Sequence, residues 1–506
     1  MNPFKRIPDA RLETLNKSNE SPEESELGLI HSVISCADAR IAFLDNEIPK
    51  IRAKLMKFEE ERASLIDHRQ RNQAILSPLR RLPPELLGDI FSWTFSPLAE
   101  SWGRHESMAD TPWVLSHVCR RWRDICLSTP SLWACILIDY TASSPRIPTL
   151  PLVNTRLQRA QRLKIHFYAS DKSEHLPQVE MLQLLLEHSS RWEELSLRLS
   201  PSIVPLLTTH SIPFPSLKRL WLEWDSAVTW AAMPPLNCFQ AAPCLADCSI
   251  INDEGFVPMV LPLHQFTRCE LTRPWDEHGD LLQLGVNLVE LRIFEGELWR
   301  AHDVIIQLPL LQRLSVSRLE TLAHFKTPSL DGLSVYIFEQ DVPEVDLLKS
   351  FLHRSECRLR SFVVNGWFSS DIGVKVLQML PSISELVIIT VGHKEPDETT
   401  HPLITVLTVS SRLLVPQLRS ISLGWTRGGG MDYRTFYQML ASRWRGGTSA
   451  LRAATLVTGE HDPDSATLAD LDELCREGLD LGVSVYGRDA RYACMTRWRY
   501  GSTWNL

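Results

Sequence analysis

The sequence holds no run of roughly 18 uninterrupted apolar residues, the length a membrane-spanning helix needs. Its start, MNPFKRIPDARLETLNKSNESPEESELG, lacks the apolar core of a secretory leader. Basic charge is short as well: 53 Lys and Arg stand against 61 Asp and Glu, a formal net charge of -8. Phosphate binding needs a concentrated basic surface, and the run Arg120, Arg121 and Arg123 is too small to supply one. The expectation is a cytosolic or nuclear protein that engages neither membrane nor nucleic acid. The glycosylation triplets at Asn16 and Asn19 would then never meet their enzyme.

Catalytic signatures are missing too. No GxGxxG or GxxxxGK[ST] follows a strand pattern, and neither HExxH nor GxSxG occurs. Gly428 to Gly430 reads as a glycine turn, and Asp470 with Asp472 as a solvated helix face. The 11 cysteines are odd in number and scattered, which does not suit a disulfide framework. Cys238, Cys244, Cys248 and Cys269 do not repeat a CxxC knuckle. Cys248 and Cys269 fall on strand places that the repeat described below buries, so a core reading outweighs a metal one. No enzymatic activity, cofactor or metal is expected.

Hydrophobic residues make up 44% of the chain, enough for a folded protein whose length calls for more than one unit. Residues 1–35 are polar, with SNESPEESE at their centre, and read as a disordered arm. Residues 36–77 read as a coiled-coil-like helix. Ile41, Leu44, Ile48, Ile51, Leu55, Phe58 and Leu65 fall at heptad spacing. Pro49 should break or kink it, and Arg62 and Arg69 occupy seam places. Two readings stand: self-association through 41–65, or packing on the same chain.

Residues 78–134 change character. In LPPELLGDIFSW, Pro83 and Pro84 suit a helix start, and Glu85 suits its positive end. Leu86, Leu87, Ile90 and Phe91 then share one helical face. Beyond a polar stretch, Thr111 caps a second helix. Its stripe is Leu115, Val118, Cys119, Trp122 and Ile125.

From residue 135 to about 490 a hexamer L-x-x-L-x-L recurs. It appears as LWACIL (Leu132), LKRLWL (Leu217), LADCSI (Leu245), FTRCEL (Phe266), LVELRI (Leu288) and LQRLSV (Leu311). LDGLSV (Leu330), LRSFVV (Leu359), ISELVI (Ile383), LRSISL (Leu418) and LRAATL (Leu451) follow, and AQRLKI and WEELSL are degenerate copies. Such a series predicts a leucine-rich-repeat solenoid, with a parallel sheet on the concave side and helices outside. The fold class expected is therefore α + α/β. Residues 491–506 leave the repeat as a tail. Side chains between the buried places would line the concave face: Trp221, Glu223, Arg292, Phe294, Arg313, Ser315, Ser334 and Tyr336. Trp221 is the strongest candidate, because an exposed tryptophan there calls for a covering group.

The combination LPPELLGDIF…WVLSHVCRRWRDICLSTPSLW resembles an F-box, specifically that of fungal F-box-like proteins with irregular leucine-rich repeats. The match covers Leu82 to Trp133. The resemblance implies a substrate adaptor of a Skp-cullin-F-box ubiquitin ligase. Leu82, Pro83, Leu86, Leu87, Ile90, Val118, Cys119 and Trp122 would face the Skp-family adaptor, and through it a cullin. The repeats, with Trp221, Glu223, Arg292, Arg313 and Tyr336, would hold a protein substrate. The alternative is a repeat scaffold whose LPPELL helix only caps the solenoid. The sequence departs from the pattern in its long 96–110 loop. It also has Asp225, Asp253, Gly296 and Trp367 where an asparagine ladder would stand.

Overall fold

The computed structural model describes residues 9–94, 111–141, 147–208, 212–224, 234–252, 259–272, 282–294, 305–337, 345–366, 370–390, 401–408, 414–425, 433–446, 450–458 and 464–485. The 96–110 loop, the four ladder places, Gly428 to Gly430 and the 491–506 tail lie outside them. The chain divides into two compact units, 1–87 and 88–506.

The first unit is helical. Helix α1 (Asp9–Lys17) precedes α2 (Glu24–Ile75), 52 residues long. Helix thus replaces the disordered arm expected over 1–35 at 9–17 and 24–35. Glu24 and Glu26 favour the N-terminus of α2, and Leu27, Ile30 and Ile34 carry the apolar spacing upstream. Arg11 of α1 bonds Glu26 at 3.1 Å and Glu20 at 3.1 Å. The expected break at Pro49 does not occur: the helix runs through it. One 18-residue window of this helix, with mean hydropathy 1.5, is apolar enough by length and composition to cross a membrane. Charged residues such as Asp38 and Arg40 interrupt the apolar stretch there, so it holds no uninterrupted run.

Helix α3 (Pro84–Thr94) starts at the double proline. The single second helix predicted from 111 onwards is two, α4 (Thr111–Val118) and α5 (Arg120–Ser128). Cys119 separates them with extended backbone, φ -160 and ψ 171, and its Sγ accepts the Trp122 N–H at 3.5 Å. A helix start is hidden there because the cap is a sulfur rather than the usual Ser, Thr, Asp or Asn. Trp133 donates its indole N–H to the Cys126 carbonyl at 2.8 Å and stands edge-on to Trp113 at 4.9 Å. The Arg159 guanidinium covers both rings, 4.8 and 4.3 Å from their centroids.

Fourteen parallel strands follow, from Cys135–Asp139 to Asp480–Val485, in sequence order. Ile306–Gln307 and Phe325–Lys326 form a separate pair. The hexamer leucines bury one face of each strand, as with Leu217, Leu220 and Leu222. The first copy alone is shifted by one residue from the template, while AQRLKI buries its template places Ala160, Leu163 and Ile165. In LWACIL it is Ile136 and Ile138 that are buried, and Ile165 and Phe167 hold those places in the next strand. A one-residue slip exchanges the faces of a strand, so the reading LWACIL assigned them wrongly there. The last strand escapes the template because Gly478 occupies its leading leucine place. Gly478, at φ +104, ends the helix Ser465–Arg476, and the Leu479 N–H reaches the Leu474 carbonyl at 3.0 Å.

Three arginines stitch neighbouring segments by donating to backbone carbonyls. Arg191 bonds Leu157 and Ala160, and Arg354 bonds Leu322 and Phe325. Arg443 is fully buried and bonds Leu407 at 2.6 Å, Leu414 at 2.7 Å and Val415 at 3.3 Å. Burial lowers its guanidinium pKa to about 10. Arg443→Met keeps the volume but removes the buried donors to these carbonyls. It should cost about 3 kcal/mol in a denaturant titration.

Candidate docking surfaces

Helix α3 presents two faces. Leu87 and Phe91, four residues apart, are buried at 0% and 1% exposure. Leu86 and Trp93 stand in solvent at 49% and 77%. Of the residues expected to face an adaptor, Pro83 and Leu86 are exposed, and Leu82 and Ile90 are half-buried. Leu87 is core and cannot be a contact in this conformation. Its place on the expected docking face is corrected by burial. Val118 and Cys119 are exposed beside the α4–α5 break, and Trp122 is half-buried with its ring 4.7 Å from Phe91. Trp93 and Val114, both exposed, were not among the expected contacts. Trp93 lies seven residues beyond Leu86, two helical turns along the same face, and that spacing was the available signal.

The non-leucine face of the sheet carries three rows of side chains in register. The middle row includes His166, Ser196, Trp221, Ser249, Glu270, Arg292, Ser315 and Ser334. Trp221 is buried at 1% exposure, against the expectation of an open indole. Serines 196 and 249 flank it in register and leave it room. Tyr168 meets its ring edge-on at 5.9 Å, and Leu137 and Ile251 pack on the pair. The Tyr168 hydroxyl lies 3.0 Å from the Ser196 hydroxyl. Trp221 thus belongs to a small aromatic core and is no accessible anchor. Arg292 is also buried, bonded to Glu290 at 2.9 Å, and Ser315 and Ser334 are buried with it. Arg313 remains exposed, while Glu223, Phe294 and Tyr336 are half-buried.

A row beside it carries alternating charge: Lys164, Glu194, Arg219, Asp247, Arg268, Glu290 and Arg313 on seven successive strands. Neighbouring strands stand about 4.8 Å apart, so each charge is flanked by opposite ones. Glu194 pairs with Arg219, and His166 lies 3.7 Å from Glu194. Asp247 pairs with Arg268 at 3.6 Å. Sequence reasoning missed this row, although its signal lies in the third place of the hexamers LKRLWL, LADCSI, FTRCEL, LVELRI and LQRLSV. Further along, the face turns apolar, with Val363, Val387 and Ile389 clustered and buried.

Cys248 and Cys269 are register partners in the core, and burial pushes both thiols up. No cluster of three or more metal-ligating side chains occurs among the described residues. Alkylation of the folded protein at neutral pH should modify Cys36, Cys119, Cys244 and Cys475, which are exposed, and spare Cys126, Cys248 and Cys269. Peptide mass mapping reads this directly.

Asp247 has its carboxyl raised from 3.8 to about 6, chiefly by burial, against the pull of Arg268 and Arg219. Glu194 is raised in the same way. A carboxyl that holds its proton more tightly when folded stabilises the fold fully below its unfolded pKa. That contribution is lost as pH rises through the folded value. The unfolding free energy of Asp247→Asn relative to the parent should therefore rise by about 2–3 kcal/mol across that window. Urea titrations at pH values on either side of the window would measure it.

No family model matches the sequence, and no curated protein matches it. Among solved structures, the crystal structure of a protein from Bacteroides fragilis covers 66% of this chain and 67% of its own length. It is 11% identical, with a TM-score of 0.22. A likeness so distant carries no argument.

Proposed function

We propose that the protein is a non-catalytic substrate adaptor of a Skp-cullin-F-box type ubiquitin ligase. In this reading residues 82–133 dock on a Skp-family adaptor, and a leucine-rich-repeat solenoid holds the target protein. One observation carries it. Helix α3 buries Leu87 and Phe91 yet leaves Leu86 and Trp93 exposed, apolar surface that the described residues do not cover. A helix laid on a partner groove needs such anchors two turns apart on one face. The fourteen sequential parallel strands support the repeat reading. On the sheet, target recognition falls to Arg313, Phe294, Tyr336 and Glu223, since Trp221 and Arg292 are buried.

A second reading, a repeat scaffold in which α3 acts only as structure, rests on the burial of Leu87 and Phe91. One pair of variants separates the two. Leu86→Lys should leave the melting temperature within a degree or two and weaken Skp-family binding by about 2 kcal/mol, read by calorimetry. Leu87→Ala should cost about 2–5 kcal/mol of stability. If wild-type protein fails to bind any Skp-family adaptor, or Leu86→Lys binds as well as the parent, the scaffold reading stands instead.

A further inference from the structure

Helix α2 keeps its apolar seam in solvent. Ile41, Leu44, Ile48, Ile51, Leu55 and Phe58 are between 41% and 64% exposed. Leu27, Ile30, Ile34 and Ala37 extend the same spacing upstream within the helix. The seam thus runs from Leu27 to Leu65 with one polar interruption, Arg62.

Charge at the flanking places identifies the occupant. In the three heptads that begin at Ile41, Ile48 and Leu55, the residues just before the first seam place are Arg40, Glu47 and Lys54. Those just after the second are Asp45, Arg52 and Glu59. In a parallel, in-register pair, each of the first set meets the residue five positions later on the other chain. The pairs are Arg40 with Asp45, Glu47 with Arg52, and Lys54 with Glu59, opposite in sign each time. An antiparallel pair sets flanking places of one kind against each other and loses this matching.

The rest of the helix agrees. Pro49 sits on the outer side, next to Ile48 and away from the seam, where water can serve the carbonyl it leaves unpaired. Outward convexity, which a missing bond on that side favours, is the curvature a supercoil needs. Within one chain the flanking charges have only exposed substitutes. Glu47 bonds Lys50 at 2.6 Å, and Lys54 lies 5.9 Å from the Phe58 ring centroid. A membrane span would suit the hydropathy of the upstream window but not its distribution. Leu29 and Phe43 are apolar off the seam, but Asp38, Arg40 and Asp45 set charge within or beside the window, costly in a hydrocarbon core and at home beside a coiled-coil seam.

We propose that α2 pairs with α2 of a second copy in a parallel, in-register, two-stranded coiled coil from Leu27 to Leu65. This inference is independent of the ligase reading. The test is sedimentation equilibrium of the full chain at micromolar concentration, where the parent should be dimeric. Arg40→Glu with Lys54→Glu, and separately Asp45→Lys with Glu59→Lys, set like charges opposite in two of the three pairs. Each variant alone should raise the dimer Kd about tenfold or more. An equimolar mixture should recover parental affinity as a heterodimer, which also shows that both variants fold. Ile48→Asp with Leu55→Asp should be monomeric, with the thermal transition of the repeat region unchanged. A monomeric parent, or a mixture no tighter than the separate variants, overturns the proposal. So does flotation of the parent with phosphatidylcholine vesicles, which would assign the window to a membrane.

Discussion

A strand of this chain has nowhere of its own to put its leucines. Each segment offers one apolar strand face and a short crossing, too little to exclude water alone, so burial is completed only by the segments before and after it. Parallel pairing in sequence order follows from this. Its consequence is register: a side chain at one place in a strand stands beside the same place in both neighbours. The charge row, the serine-flanked Trp221 and the apolar cluster at Val363 and Val387 all come from that single constraint. The arginine stitches act at the other side of the same problem. Each segment ends in carbonyls, and the next segment supplies the donor.

The repeat was legible because period-two alternation and a recurrent hexamer are visible in one dimension. Its frame was less so where the apolar residues run on, as in LWACIL, since adjacent apolar places fit the template in two ways. The final strand was hidden because Gly478 answers to the helix before it rather than to the strand that follows. Helix α2 was underestimated at its N-terminus, where acidic residues that looked like a solvated arm serve the helix dipole. The α4–α5 break was invisible for a chemical reason, the use of a thiol as the capping group.

Surface function was harder to read than fold. Alternation says which way a strand side chain points, not what else arrives there. Trp221 pointed as expected and was covered by Tyr168, five positions beyond the leading leucine of another strand. Leu86 and Leu87 are adjacent and chemically identical, yet one is core and one is not. A helical periodicity of 3.6 cannot rank two neighbours at the edge of an apolar arc, so only packing separates them.

The alternating row from Lys164 to Arg313 also limits how this protein can change length. Remove one strand from the middle of it, and two like charges become neighbours at a spacing of about 4.8 Å. Remove two, and the order is restored. Gain or loss of segments there is thus tied to parity: the stack tolerates steps of two far better than steps of one. Beyond Arg313 the row continues as Gly332 and Ser361, and no such bookkeeping applies. Natural or designed variants in segment number should accumulate on that side.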